Sequence, residues 1–234
     1  MGKFNLIILQ SYNLIIMPKH LQREIESLKK LFLKLSGLVE KNVSNAIESV
    51  IKLDGDLASE VIELDGQIDQ MEVLVEEECL KILALHQPVA IDLRFITAIL
   101  RINNDLERIG DIAVYIARRA KYLIHKPTSH KLPEKFQKAA EKAKNMLSKS
   151  LDSLMALDVD AAKEICEADD EVDILCNEIY KVIKDMLRSY PEDIDSICNL
   201  LLLPSRVERI ADHATNIAED VIYMVDGEII RHIN

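Results

Sequence analysis

Two stretches of this chain, about one hundred residues apart, carry the same acidic phrase. Residues 105–119 read DLERIGDIAVYIARR, and residues 206–220 read RVERIADHATNIAED. Both contain Glu-Arg-Ile-x-Asp, running from Glu107 to Asp111 and from Glu208 to Asp212. Helical residues four apart lie on one face, a turn apart, so each phrase projects a pair of carboxylates. The acidic stretch before each phrase supplies a second pair, Asp65 with Asp69 and Asp169 with Asp173. Four carboxylates held together repel one another unless a cation joins them. Oxygen-only donors select hard cations, here Mg, Ca, Mn or iron. Carboxylates also bridge metals, so a multinuclear centre is open to such a set. These eight acids form two candidate metal sites, and the question is what positions them.

The positioning elements are themselves written twice. LDGDLASEV at 53–61 matches LDVDAAKEI at 157–165, and ELDGQIDQ at 63–70 matches EADDEVDI at 167–174. Pro88 answers Pro191, and the two acidic phrases follow. The steady offset reads as a tandem duplication. Breakers divide each copy into three helices, expected at about 18–53, 56–85 and 89–124, then 134–156, 159–189 and 192–226. Apolar residues recur in steps of three and four, as in Ile102, Leu106, Ile109, Ala113 and Ile116, or Val207, Ile210, Ala214, Ile217 and Val221. That is the seam of helices packed nearly along one another. The fold class is therefore all-α, with two tandem three-helix bundles related by internal duplication. They span 17–125 and 134–234 and are joined by the proline-bearing linker 126–133. Pro204 sits inside the last helical pattern and is expected to kink it.

At roughly 100° per residue the acids fall beside or well round from these seams. All four of each copy are expected in one outer groove between neighbouring antiparallel helices, outside the bundle core. Glu72, Glu76 and Asp105 make the first site richer in acid, since Cys176, Tyr180 and Arg206 stand at the corresponding places. His213 is a candidate nitrogen ligand for the second site. A plainer reading pairs Arg108 and Arg209 with the acids as solvated surface. Arg94 reads as a helix-start ion pair with Asp92, or as an interface or site-supporting residue.

Composition narrows the function. Nearly half of the 234 residues are apolar, and Gly and Pro number only 6 each, which suits long helices around a sizeable core. The formal net charge of −11 argues against nucleic acid as the main partner, because phosphate neutralisation needs a basic face. The four cysteines have no metal-ligand spacing and read as reduced thiols of a cytoplasmic protein. The opening KFNLIILQSYNLIIM is apolar but too short to span a bilayer, and it is a poor signal peptide. Residues 1–16 are expected to be an extension outside the fold, with a lipid-dipping anchor as the sharper alternative.

The phrases HQPVAIDLRFITAILRINNDLERIGDIA and VERIADHATNIAED resemble the two signatures of the PhoU family, the phosphate-specific transport system accessory and regulatory proteins. The resemblance extends over nearly everything from Met17 onward. It implies two similar three-helix bundles, with metal-cluster motifs falling on Asp65–Asp69, Glu107–Asp111, Asp169–Asp173 and Glu208–Asp212. It implies negative regulation of the phosphate-starvation response, by contact with a sensor histidine kinase and with the ATPase of the phosphate ABC transporter. A homodimer, peripheral at the inner face of the cytoplasmic membrane, follows from the same resemblance. Ile112 departs from the pattern, since many members carry His there. A non-enzymatic regulator competes with a carboxylate-bridged metalloenzyme. Against the enzyme stand the lack of a Ser-His-Asp set, of a phosphate-cradling Gly loop and of a Glu-x-x-His pair.

Overall fold

The structure, a computed structural model, describes residues 19–126 and 130–227, and the expectation for residues 1–16 lies outside them. Helix α1 (Lys19–Lys52) buries a stripe from Leu21 through Leu28, Phe32, Leu35, Val39 and Val43 to Val50. It closes in a left-handed turn at Leu53, φ 53°. There the Asp54 N–H donates to the Ser49 carbonyl at 2.9 Å. The Asp54 carboxylate then caps α2 (Gly55–His86), accepting from the N–H groups of Asp56 and Leu57 at 3.0 and 2.9 Å.

The same turn recurs after α4 (Glu134–Ala156). Leu157 has φ 56°, the Asp158 N–H donates to Ser153 at 2.9 Å, and the Asp158 carboxylate caps α5 (Val159–Ser189) at the Ala161 N–H. A leucine in the left-handed region is uncommon. Finding one in register in each copy carries the duplication from sequence into backbone geometry.

Helix α3 (Ala90–His125) follows the extended Val89 and the buried Pro88. Its buried face includes Ile102, Leu106, Ile109, Ala113 and Ile116, the expected seam. The last helix of the second copy departs from expectation. In place of one kinked helix there is a 3-10 turn (Pro191–Asp193), α6 (Ile194–Leu201) and a separate α7 (Pro204–Asp226). Pro204 has no N–H to give to a carbonyl one turn back, so the chain tightens. The Leu203 N–H donates to Leu200 at 3.2 Å, and Pro204 takes the first position of a new helix, where a missing donor costs nothing.

Helices α1, α2 and α3 pack on one another, as do α4, α5 and α7, with α6 lying against α5. The helices of the two copies do not interleave, but the halves meet along α3 and α7 and, more lightly, along α1 and α4. One apolar core runs through both. A ladder of polar contacts marks the α3–α7 seam. Arg94 Nε donates to the Met224 carbonyl (3.0 Å), Arg101 pairs with Asp220 (3.2 Å), Asp105 meets His213 (2.8 Å), and the Arg206 guanidinium stacks on Tyr115 (4.0 Å). Partners descend along α7 as positions ascend along α3, so the two helices run antiparallel. Arg94 is thus the interface residue of the two readings offered above. No helix of the described residues is long and apolar enough to cross a membrane.

Candidate metal centres

Asp65 and Asp69 lie on α2, and Glu107 and Asp111 lie on α3. These helices pack side by side. Their close approach is set at Gly110, where a Cβ would sit 3.3 Å from the buried Ile68 and 3.7 Å from Asp65 Oδ1. Asp69 and Asp111 are exposed, while Asp65 and Glu107 are half-buried. All four lie outside the apolar core and within electrostatic reach of one another.

Their charges act on one another. Burial pushes the Asp65 carboxyl up to about 6, and Asp69, Asp111 and Glu107 add repulsion that Arg118 only partly offsets. Glu107 is raised by burial, by Asp111 and by Asp69, against Arg108 and His213. Glu72 joins the group electrostatically, raised by burial and by Glu76, Glu107 and Asp69. Its Oε1 and its carbonyl both accept from the Asn103 amide, at 2.8 and 3.0 Å. Asn103, buried on α3, is therefore a support of this site that no spacing in the sequence singles out.

The second copy repeats the arrangement on α5 and α7, which also pack together. Burial pushes Asp169 up to about 6, helped by Asp212 and Asp173. Glu208 is raised by burial, Asp173 and Asp212, and Asp212 by burial and Asp173. Asp173 Oδ1 is shielded from water without a hydrogen-bond partner, and Asp169, equally buried at Oδ1, has only the Thr215 hydroxyl beside it. A buried carboxylate oxygen with an unused lone pair calls for a donor or a cation. The second donor set therefore fits a hard cation, and the first offers the same oxygen-only chemistry. The side chains approach within electrostatic range without converging. Among the described residues no three Asp, Glu, His or Cys groups are gathered as an ion-holding set. Closing on an ion takes rotamer changes, to which half-exposed carboxylates are suited.

Two neighbours belong elsewhere. Asp105 and His213 bond to each other across the α3–α7 seam, so His213 is not placed as a ligand of the second site, and Asp105 does not enrich the first. The reason is angular. His213 stands one residue from Asp212, about 100° round the helix, and Asp105 two residues from Glu107. The cysteines are unpaired, and burial pushes the Cys176 thiol up to about 12, with Sγ against the Pro204 carbonyl. Such a thiol is inert.

The sequence model of the PhoU domain matches this chain twice, over residues 32–120 and 136–221. The chain belongs to the PhoU family. A curated relative from Pseudomonas aeruginosa, named phosphate-specific transport system accessory protein PhoU homolog, is 38% identical over 210 residues, covering 90% of this chain and 87% of the relative. The crystal structure of PhoU from Pseudomonas aeruginosa superposes with a TM-score of 0.86 at 37% identity, over 88% of this chain and 99% of that one. The crystal structure of the phosphate transport system regulatory protein PhoU from Streptococcus pneumoniae gives 0.82 at 28% identity, over 90% and 99%. The all-α PhoU fold expected from the sequence is the observed one.

Proposed function

We propose that this PhoU-family protein is an accessory regulator of phosphate uptake that carries a cation on each of two carboxylate sites. One observation carries the reading. Two sets of four acids, equivalent under the repeat, lie across neighbouring helices, and burial together with repulsion from the other acids raises the pKa of Asp65 and Glu107 in one and of Asp169, Glu208 and Asp212 in the other. Asp65, Asp69, Glu107 and Asp111 would hold the first ion or cluster, and Asp169, Asp173, Glu208 and Asp212 the second. When bound, iron, Mn, Mg or Ca neutralises these carboxylates and ties the two helices of each groove together. Glu107 and Glu208 sit on the helices that also form the seam between the bundles, so occupancy stiffens the whole surface offered to a partner.

That surface docks on helical partners at the inner face of the cytoplasmic membrane. The partners are the ATPase of the phosphate transporter and a sensor histidine kinase, and the outcome is repression of the starvation response when phosphate is plentiful. The names of the relatives support the transport connection. The acidic charge supports docking on protein rather than on anionic lipid. The protein works as a homodimer and not as an enzyme.

A chromosomal Glu107→Ala/Glu208→Ala allele tests this reading. The variant should accumulate normally, lose pull-down of the transporter ATPase and the kinase, and leave a phosphate-starvation reporter on in rich phosphate. A fully repressed reporter, with both partners still retained, would overturn it.

A further inference from the structure

The duplicated phrase also carries a cation. Arg108 and Arg209 are equivalent positions of the repeat, each following the Glu of its phrase. Both line one open cleft of about 710 Å³ at the α3–α7 seam. Because they are equivalent and share a single cleft, that cleft lies on the axis relating the two halves. Arg101 lines it as well, two helical turns from Arg108, which is roughly 10 Å along the axis.

Two acids at the cleft, Asp220 and Asp105, are already engaged. Arg101 touches Asp220, which is 1% exposed, through one guanidinium nitrogen at 3.2 Å, while its own side chain remains 45% exposed. Arg108 is 57% exposed, and its ion pair is a side-on contact with adjacent Glu107 at 3.6 Å. Asp105, a lining acid, is met at 2.8 Å by His213. Glu219 lines the cleft too, and Asn104 and Asn216 add amide donors. Two equivalent arginines in one groove present like charges that an anion placed between them would join. Guanidinium forks match phosphate oxygens bidentately.

We infer that this cleft binds an extended condensed-phosphate anion, with Arg108 and Arg209 gripping its centre at the axis and Arg101 its end. Arginines spread over two helical turns suit an extended chain of phosphates better than a single orthophosphate, whether free inorganic polyphosphate or the tail of a nucleoside triphosphate. The cleft volume falls in the usual range for such ligands. The overall charge of −11 does not forbid it, because repulsion from distant acids is screened beyond about 8 Å at physiological salt. The inference does not require the carboxylate sites to be occupied, although Arg108 also touches Glu107.

The test is isothermal calorimetry on the full chain in EDTA buffer at about 0.15 M salt, with orthophosphate, tripolyphosphate and ATP as probes. Tripolyphosphate should bind at one site per chain. Arg209→Gln and Arg108→Gln should each weaken it about tenfold, one charge-assisted contact's worth. Lys142→Gln, on the far surface of α4, should leave it unchanged. Circular dichroism confirms that the exposed substitutions keep the fold. ATP binding as well as tripolyphosphate supports the triphosphate tail as the recognised group, and ATP failing supports the free polymer. No tripolyphosphate binding by the wild type, equal binding by the arginine variants, or orthophosphate competing at equal concentration would overturn the inference.

Discussion

Asp65 and Asp169 are the carboxylates that the fold most resists charging, each pushed up to about 6 by burial first and by neighbouring acids second. Their native pKa lies above the unfolded one, so between the two values the native state holds protons that the unfolded chain has released. The stability they supply is full below the usual carboxylate range and is lost as pH rises through about 6. In EDTA the melting temperature should therefore climb as pH falls from 7 to 5. Asp65→Asn/Asp169→Asn should melt higher than wild type at pH 7, by roughly 2–4 °C for each kcal/mol of repulsion removed. It should also show a flatter profile, and scanning fluorimetry across pH checks both. An unchanged slope would mean that these acids are not under strain.

The His213–Asp105 contact makes a separate prediction. His213→Ala strands a carboxylate that is only 17% exposed. It should cost about 1–3 kcal/mol in urea unfolding. Metal content should be untouched, because His213 faces α3 and not the second carboxylate set.

At the scale of the helices, much was legible in the sequence. The breakers placed the starts of α2 and α5 to within a residue or so, and the three-and-four spacing located the buried faces, because turn chemistry and periodicity are local. The break at Leu202–Leu203 was harder. A proline says that a backbone donor is missing, but not whether the helix bends or restarts, which depends on how the Leu200 carbonyl is satisfied. His213 was misplaced for a similar reason. Helix α7 packs on both α5 and α3, and only the tertiary arrangement tells which face meets which neighbour.

Gly110 shows the same dependence. It looked like an ordinary helical residue, and its role is to let α3 approach Ile68 and Asp65. Gly110→Val should force those helices apart, costing about 1–3 kcal/mol by overpacking despite the gain in helix propensity. It should also loosen the first carboxylate set more than the second, where Ala211 stands at the matching place. A variant as stable as wild type would show that the approach is not limiting.

For the whole molecule, duplication gives the account its sharpest consequence. Two equivalent grooves, on helix pairs α2–α3 and α5–α7, predict two metal-binding events that can be removed separately. Neither removal should unfold the chain, since half-exposed acids contribute little to the shared core. The direct measurement is the metal-to-protein ratio by elemental analysis, after loading and desalting, for wild type, Glu107→Ala, Glu208→Ala and the double variant, with helicity followed in parallel. The account predicts that each single substitution removes one site's metal, that the double substitution removes essentially all of it, and that helicity is unchanged throughout. Wild-type metal content in the double variant would contradict it.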